Sequence, residues 1–486
     1  MRDMADATPA GTQLARGLTV WSAVGMSVAL MAPSMAININ PQATSAATGR
    51  AVPIAFLLAT FGVLLIAHTF VRLSQRFSQS GSVYAFVGVT LGPRSGAVAG
   101  WLNACTYVLF GVVTSTAAGM FLTDLIRKVL APSTLPEWLP YPLGWLVLFG
   151  TWVLATRDIR GGTKILLVTE GATVLLILMV SGVTLVQLIR GTGGHHIDPS
   201  VFTLAPGTSA SNLFLGVVFG FLSFAGFEAA ATLGEESDNP HRDIPRAILA
   251  TAVLGGVFFV AVSAIAMMAF GTDAAGVAAF TNSQALIGDL ASRYVSAWVS
   301  DVIVVGAALS ASACCLACLV GGSRLIFALS RDGMGPAVLS KVDPVRAVPN
   351  NAATACAVTV AAVQLFGWAV LHARPFEVFA ISGDAGTLIL LVAYAMACLG
   401  ALRLLFLTDG SGLSKWEMVV PLLGLAMLGY TVLRNVAPWP QGVSQWGPAL
   451  AIAVLIAVTV AALARPAAAQ SAGVKLLVRS GLQAPP

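Results

Sequence analysis

The sequence predicts an all-α integral membrane protein with about twelve transmembrane helices. The 486 residues are 57% hydrophobic and only 10% charged, with a mean hydropathy of +0.86, whereas soluble domains carry about 25% charged residues. Long apolar runs recur along the chain, and Lys and Arg are concentrated in alternate loops. A soluble fold of this size could not cover its surface with so few ionisable groups, so we expect the chain to lie in a lipid bilayer.

The individual spans follow from the apolar runs, because a helix needs about 20 such residues to cross the hydrocarbon core. We predict twelve spans at residues 17–39, 51–73, 95–126, 143–156, 165–189, 212–233, 247–270, 297–329, 352–371, 376–402, 416–433 and 448–464. The fourth is short, and the third and eighth are long enough to require tilt or an interfacial first turn. Residues 271–293 are too polar to span and are predicted to form a partly helical loop over one face.

Lys and Arg are distributed unequally between the two sides of this predicted bundle. If both termini share one side, that side carries 19 of the 26 basic residues and the other carries 7. Because cytoplasmic loops carry the excess of Lys and Arg, we predict a multi-pass protein of the cell membrane with both termini in the cytoplasm. Residues 1–16 are then an N-terminal tail, and residues 466–486 form a C-terminal tail that is disordered or lies loosely at the interface.

The sequence also argues against several classes of protein. The basic residues are scattered through short loops, which disfavours nucleic-acid binding despite a pI of about 9.0. All six cysteines lie in apolar segments, where a disulfide framework would not place them. No P-loop, nucleophile elbow or zinc motif occurs, and the five histidines are dispersed. We therefore expect no metal, no cofactor and no enzymatic activity.

Acidic residues inside the apolar runs are the strongest indication of function. A charge at the bilayer centre costs about 2.5–3.5 kcal/mol on insertion scales, so it usually faces a cavity or a partner. Glu170, Glu228 and Asp384 qualify by depth, and we predict them as proton-binding or coupling groups, with a purely structural polar contact as the alternative for each. An interior with acids alone suits a cationic or zwitterionic ligand, a bound cation, or proton transfer.

Two of the predicted spans contain interruptions that suggest a binding site. In the sixth, SFAGFE at residues 223–228 places Gly226 and an acid within an apolar run, and in the first, Gly25, Ser27 and Pro33 interrupt the helix. Unwound backbone in a membrane is tolerated only where it lines an enclosed cavity, and inverted-repeat transporters place such breaks at the substrate site. The competing interpretation is a pair of kinked helices that serve close packing.

Three stretches resemble the amino acid–polyamine–organocation permeases. They are FAGFEAAATLGEESDNPHRDIPRAI at residues 224–248, GSVYAFVGVTLGPRSGAVAGW at residues 81–101, and SRLIFALSRDGMGPAVLSKVDPVRAVPNNA at residues 323–352. The resemblance implies a five-plus-five inverted-repeat fold with broken helices 1 and 6, formed by residues 17–403, followed by helices 11 and 12 in residues 404–465. It also implies alternating access driven by a proton or sodium gradient, or by exchange.

The same resemblance implies a set of substrate-binding residues at the two breaks. They are Ser27, Ala29, Met31 and Ala32 in the first helix, and Ser223, Phe224, Ala225, Gly226 and Phe227 in the sixth. The first-helix stretch VALMAPS departs from the Gly-Ser-Gly-like pattern of many members. In the fifth helix Glu170 stands where proton-coupled members often carry lysine, so it would either carry the proton itself or attract a cationic substrate. Ser310 and Ser312 would supply oxygens if the coupling ion is sodium.

These observations predict a secondary active transporter of an amino acid or related amine, with proton symport ranked first. An exchanger of amino acids or polyamines, a transport-like membrane sensor and a channel remain as alternatives, and the sequence leaves monomer and homo-oligomer open. The charged stretch after the sixth helix, with Glu235 and Glu236, is interpreted as an inward gate whose turns are fixed by Pro240 and Pro245. The alternative is a solvated loop that only directs topology.

Overall fold

The computed structural model describes residues 19–76, 83–130, 134–157, 162–192, 194–205, 208–233, 239–343, 348–406 and 414–479. Within these ranges the regular structure is helical. The α-helices are α1 (Val20–Met31), α2 (Pro33–Thr48), α3 (Val52–Arg76), α4 (Val83–Leu91), α5 (Pro93–Leu130), α6 (Pro140–Ala155), α7 (Gly162–Arg190), α8 (Leu213–Phe224), α9 (Pro240–Phe270), α10 (Ala274–Thr281), α11 (Leu286–Tyr294), α12 (Ala297–Arg331), α13 (Asn350–Ala369), α14 (Pro375–Ala401), α15 (Val419–Val436), α16 (Trp446–Ala464) and α17 (Pro466–Arg479). Short 3₁₀ turns link several of them.

The prediction of an all-helical protein with many apolar spans is confirmed at that level. Nine helical stretches of the described chain are long and apolar enough to cross a membrane, and the first of them, Ala23–Arg76, includes α2, α3 and most of α1. Two shorter apolar helices, Pro140–Ala155 and Ala210–Phe224, accompany them. Residues 271–293 contain α10 and α11 and are therefore partly helical, as predicted.

Several helix boundaries differ from the predicted ones by a few residues, and two of the larger differences have a clear physical cause. The first span was expected to end at residue 39, but α2 continues to Thr48, because its polar side chains are buried inside the protein and most of them hydrogen-bond to protein groups. Asn38, for example, donates to its own helix and accepts from the backbone of α11. α9 begins at Pro240, seven residues before the predicted start, since proline is well accommodated in the first turn of a helix.

The earlier start of α9 corrects the interpretation of the charged stretch. Pro240 occupies the first turn and Pro245 lies inside the helix, so these prolines do not fix the turns of a loop. Residues 234–238, with Glu235 and Glu236, lie outside the described residues, and the gate interpretation stays a prediction.

The C-terminal segment is the third difference. Residues 466–479 form the helix α17, so the disordered alternative is wrong for these residues, and the loosely interfacial position stays a prediction. Ala469 in this helix is buried in a cluster with Leu329 and Met334, at the end of α12.

The centre of the molecule is occupied by α5, which packs against α12, α14, α6 and α4. α2 packs against α8, and α1 lies against α9. The interrupted helices α1–α2 and α8 therefore lie beside the long helices α9, α12 and α14, which together with α5 are called the scaffold helices. The breaks in the interrupted helices face the interior.

Candidate substrate and coupling site

The first break lies between α1 and α2. Ala32 has φ 46° and ψ 56°, a left-handed conformation that is uncommon for a residue with a side chain. Pro33 follows at the first position of α2 and has no N–H to donate. The break therefore leaves only the next few backbone N–H groups of α2 in need of acceptors.

Two side chains from other helices provide those acceptors. The N–H of Ser34 donates to Glu170 Oε1 of α7 at 2.9 Å, and the N–H of Met35 donates to Ser310 Oγ of α12 at 3.3 Å. Glu170 is buried. A carboxylate at this position is stabilised by the partial positive charge of a helix N-terminus as well as by the hydrogen bond. Glu170 and Ser310 thus act together as the N-terminal cap of α2.

The second break follows α8. Residues 225–228 form turns before the 3₁₀ helix Ala229–Leu233, and Gly226 has φ 104°. A Cβ added at Gly226 would lie 2.9 Å from Leu30 Cβ in α1. Both the backbone conformation and the close approach of α1 therefore require glycine at this position.

The polar groups of the second break have other partners than those of the first. Ser27 Oγ of α1 accepts from the N–H of Ala230 at 2.9 Å. The carboxyl of Glu228 lies beside the backbone N–H groups of Gly226 and of its own residue. The carboxyl group also lies near the Tyr394 hydroxyl of α14, and neither its Oε2 nor that hydroxyl has a hydrogen-bond partner among the described residues. Glu228 thus keeps one oxygen available inside the protein.

A cavity lies between the two breaks and the scaffold helices. It is lined by Leu30, Met31, Met35, Val83, Asn103, Thr106, Tyr107, Phe110, Val113, Thr114, Leu222, Ala225, Gly226, Glu228, Ala229, Cys314, Cys318 and Leu390. Most of this wall is apolar, with hydroxyl, amide and thiol groups and the single carboxylate of Glu228. Such a wall suits a small ligand with an apolar body and a cationic group.

Three of the substrate-binding residues predicted from the sequence line this cavity, namely Met31, Ala225 and Gly226. Ser27 instead caps the second break, and Ala32 supplies the turn of the first. Ala29 lies in the interior of α1 and is not part of the cavity wall.

The remaining sixth-helix residues support the break from behind. Ser223 Oγ accepts from Asn40 Nδ2 at 2.7 Å, which joins α8 to α2. Phe224 packs edge-on against Phe259, and Phe227 packs against Tyr394. The structure therefore places these three side chains in the supporting core and not in the cavity wall.

The other predicted ion-coupling residues do not all meet. Glu170 and Ser310 share the first break, and Glu228 lies at the second. Asp384 contacts Gly447 at the start of α16, and its Oδ1 has no hydrogen-bond partner among the described residues. Ser312 donates to Ala308 O of its own helix at 2.7 Å, so only Ser310 of the predicted serine pair contributes to the cap of α2.

Sequence reasoning missed several residues of this site. Tyr107 and Tyr394 approach Glu228 from α5 and α14, and Asn40 links the two broken helices. Cys314 donates a weak hydrogen bond to Leu30 O at 3.4 Å, although the cysteine run reads as a stripe of small packing residues. Tyr107 and Tyr394 could have been identified from the sequence, because a tyrosine inside an apolar run needs a partner for its hydroxyl.

A second, polar cavity lies beside the loop that carries α10 and α11. Lys128 contacts Asp124 Oδ2 at 2.8 Å and Asp289 Oδ1 at 3.8 Å, and Ser283 Oγ donates to Asp289 Oδ2 at 2.6 Å. Burial raises the pKa of Asp289 above its ordinary value, while the hydrogen bond from Ser283 and the charge of Lys128 oppose that shift. Asn38 of α2 accepts from the first N–H groups of α11, so this loop is attached directly to a broken helix.

The family model for amino acid permeases matches residues 23–469, which is most of the chain. The chain belongs to the amino acid permease family. This multi-pass membrane permease is 26% identical over 310 residues to a branched-chain amino acid permease of Bacillus subtilis, covering 62% of this chain and 64% of that relative. The chain therefore spans somewhat less than two thirds of that protein's length, and 79% of the corresponding permease of Lactococcus lactis, with 25% identity over 76% of this chain.

Other relatives of the permease carry different substrates in their names. A low-affinity putrescine importer of Escherichia coli is 24% identical over 67% of this chain and 69% of its own length. A vacuolar cationic amino acid transporter of Arabidopsis thaliana is 25% identical over 74% of this chain and 57% of its own. These relatives are transporters of amino acids or amines, and they do not agree on a single substrate.

Proposed function

We propose that the permease is a secondary active transporter that moves an amino acid or related amine across the cell membrane by alternating access. The observation that carries the proposal is the pair of facing helix breaks, at Ala32 and Gly226, with a cavity between them. The substrate binds at this cavity, and α1, α2 and α8 rock against α5 and α12. The twelve-helix, five-plus-five arrangement and cytoplasmic termini belong to the same proposal.

Proton symport is the coupling that the acids of the site favour. Glu228 has a carboxyl oxygen without a hydrogen-bond partner beside the cavity, and Glu170 contacts the backbone of the first break. Protonation of either group changes the charge of a break, which is a direct way to link proton binding to a change of helix position. Ser310 with a bound sodium ion is the competing arrangement.

Uptake into proteoliposomes tests the transport proposal. Purified permease should accumulate a radiolabelled amino acid or amine against its concentration gradient when a proton gradient is imposed. Accumulation driven only by internal substrate would assign exchange instead. Binding without any transport in either format would assign a sensor and overturn the proposal.

The two acids can be separated by conservative variants. Glu170→Gln should uncouple accumulation from the proton gradient while substrate exchange survives, because the amide still accepts a hydrogen bond but no longer titrates. Glu228→Gln should alter the pH dependence of uptake. An uptake profile that both variants leave unchanged between pH 5 and 8 would refute proton coupling through these groups.

A further inference from the structure

The backbone N–H groups at the first break are all used by the protein. The N–H of Ala32 donates to Val28 O at 3.2 Å, and that of Ala36 donates to Ala32 O at 2.9 Å. Pro33 has no N–H, and the two remaining groups are bonded to Glu170 and Ser310. A helix N-terminus of this kind would ordinarily be the place to hold a substrate carboxylate, but here the chain's own carboxylate occupies it.

Most N–H groups of the second break are also bonded within the protein. The N–H groups of residues 225, 227, 229 and 231 donate to backbone carbonyls of the same segment, and that of Ala230 donates to Ser27 Oγ. The N–H groups of Gly226 and Glu228 lie beside the Glu228 carboxyl. A substrate carboxylate that approached these amides would therefore meet a second acid.

The cavity wall does not compensate for this. Among the described residues that line it, none is Lys, Arg or His, and Glu228 is the one ionisable acid. A substrate carboxylate entering this space would lose its hydration, find no cation to pair with and lie near a like charge. Burying a charge under those conditions is strongly unfavourable, whereas an ammonium group would pair with Glu228.

We infer that the permease selects small organic cations that lack a carboxylate, with an apolar body, over the α-amino acids from which they differ only by that group. Glu170 is the specificity-determining residue, because it holds the α2 N-terminus that a carboxylate would otherwise occupy. The inference rests on the transport function proposed above and narrows its substrate class.

Matched pairs of ligands test this inference on the purified full-length permease. Each pair differs only by the carboxylate: 3-methylbutylamine and leucine, agmatine and arginine, 1,5-diaminopentane and lysine. In at least one pair the amine should bind more tightly, by about tenfold or more (about 1.4 kcal/mol), since a buried charged group left without a partner is strongly unfavourable. The same ranking should appear in proteoliposome uptake.

The outcomes separate this inference from the transport function. Equal or tighter binding of the amino acid in every pair that binds, with uptake intact, would overturn the inference and leave the transporter standing. Amines that bind more tightly but are not taken up would support the selectivity and overturn the transport proposal. Failure of every pair to bind or be transported would overturn both.

Variants of the capping residue sharpen the test. Glu170→Ala releases the N–H of Ser34, so it should lower the amine preference about tenfold by improving amino acid binding. Glu170→Gln is the matched control, because its carbonyl oxygen still occupies that N–H and the amine preference should persist. A preference that falls equally in both variants would show that the charge of Glu170, and not its occupation of the helix terminus, sets the selectivity. If the alanine variant does not fold, the wild-type pair ratios decide.

Discussion

The breaks at Ala32 and Gly226 have a similar backbone conformation, but different side chains cap them. Each places one residue at positive φ, at 46° and 104° respectively, and at each break the N–H groups of the following helix need acceptors from elsewhere in the protein. The first is capped by a buried acid from α7, and the second by the neutral hydroxyl of Ser27. Because a charged acceptor forms the stronger hydrogen bond, the first break should be the more firmly held of the two.

The difference extends to the residues in the turns. Gly226 has no room for a Cβ beside Leu30, whereas Ala32 carries one and is fully buried. The second break is thus shaped by close packing of two helices, and the first by the proline and by caps from distant helices. The stability of the second break should therefore depend more on the backbone conformation that glycine allows. The stability of the first should depend more on the charge and hydrogen bonding of its capping groups.

The largest effect is expected from filling the second break. Gly226→Leu should abolish substrate binding, because the side chain would occupy the space beside Leu30 and the backbone could not keep φ 104° without strain. Binding is measured by ligand-induced thermal stabilisation. Gly150→Leu is the control, since a Cβ at that position meets nothing within 4 Å. Normal affinity in the Gly226 variant would mean that the site lies elsewhere.

The next largest effect concerns the acid cap. Glu170→Ala should lower the free energy of unfolding by about 2 kcal/mol, because it removes an N-cap and leaves the Ser34 N–H buried and unpaired. Glu170→Gln should lose less than half of that. Reversible unfolding in mild detergent provides the measurement. An alanine variant as stable as the glutamine variant would show that the cap contributes nothing.

A smaller loss is expected at the neutral cap. Ser27→Ala should cost about 1 kcal/mol, the ordinary value of an N-cap hydroxyl, since Ala230 then loses its acceptor. Ser312→Ala is the matched control and should cost less, because that hydroxyl only bonds a carbonyl of its own helix. If Ser27→Ala proved more harmful than Glu170→Ala, the proposed ranking of the two breaks would be reversed.

The smallest effect is expected at the turn of the first break. Ala32→Gly should leave stability within about 0.5 kcal/mol, because relief of the left-handed strain offsets the added backbone entropy of glycine. Ala29→Gly in the interior of α1 should instead cost about 1 kcal/mol. Equal losses at both positions, measured in the same unfolding assay, would indicate that the conformation of Ala32 carries no strain.

The sequence predicted the position of the second break more closely than that of the first. Gly226 beside Glu228 in an apolar run predicted the position of the sixth-helix break, since glycine marks it directly. The first break was expected between Ser27 and Pro33, and its turn falls at Ala32. The sequence could not locate the turn more closely, because alanine has no local preference for positive φ. The capping of α2 by Glu170 could not be predicted, although its depth in an apolar run led us to predict the residue as a coupling group.

The sequence by itself determined the membrane setting, the helical class, the family and the identity of the acids, because these follow from composition, apolar run length and local motifs. Only the tertiary structure decided which acceptor pairs with which backbone N–H group. Glu170 and Ser34 are 136 residues apart, and Ser27 and Ala230 are 203 residues apart. Hydrogen-bond partners at such separations depend on how the helices pack, and no local pattern specifies that packing.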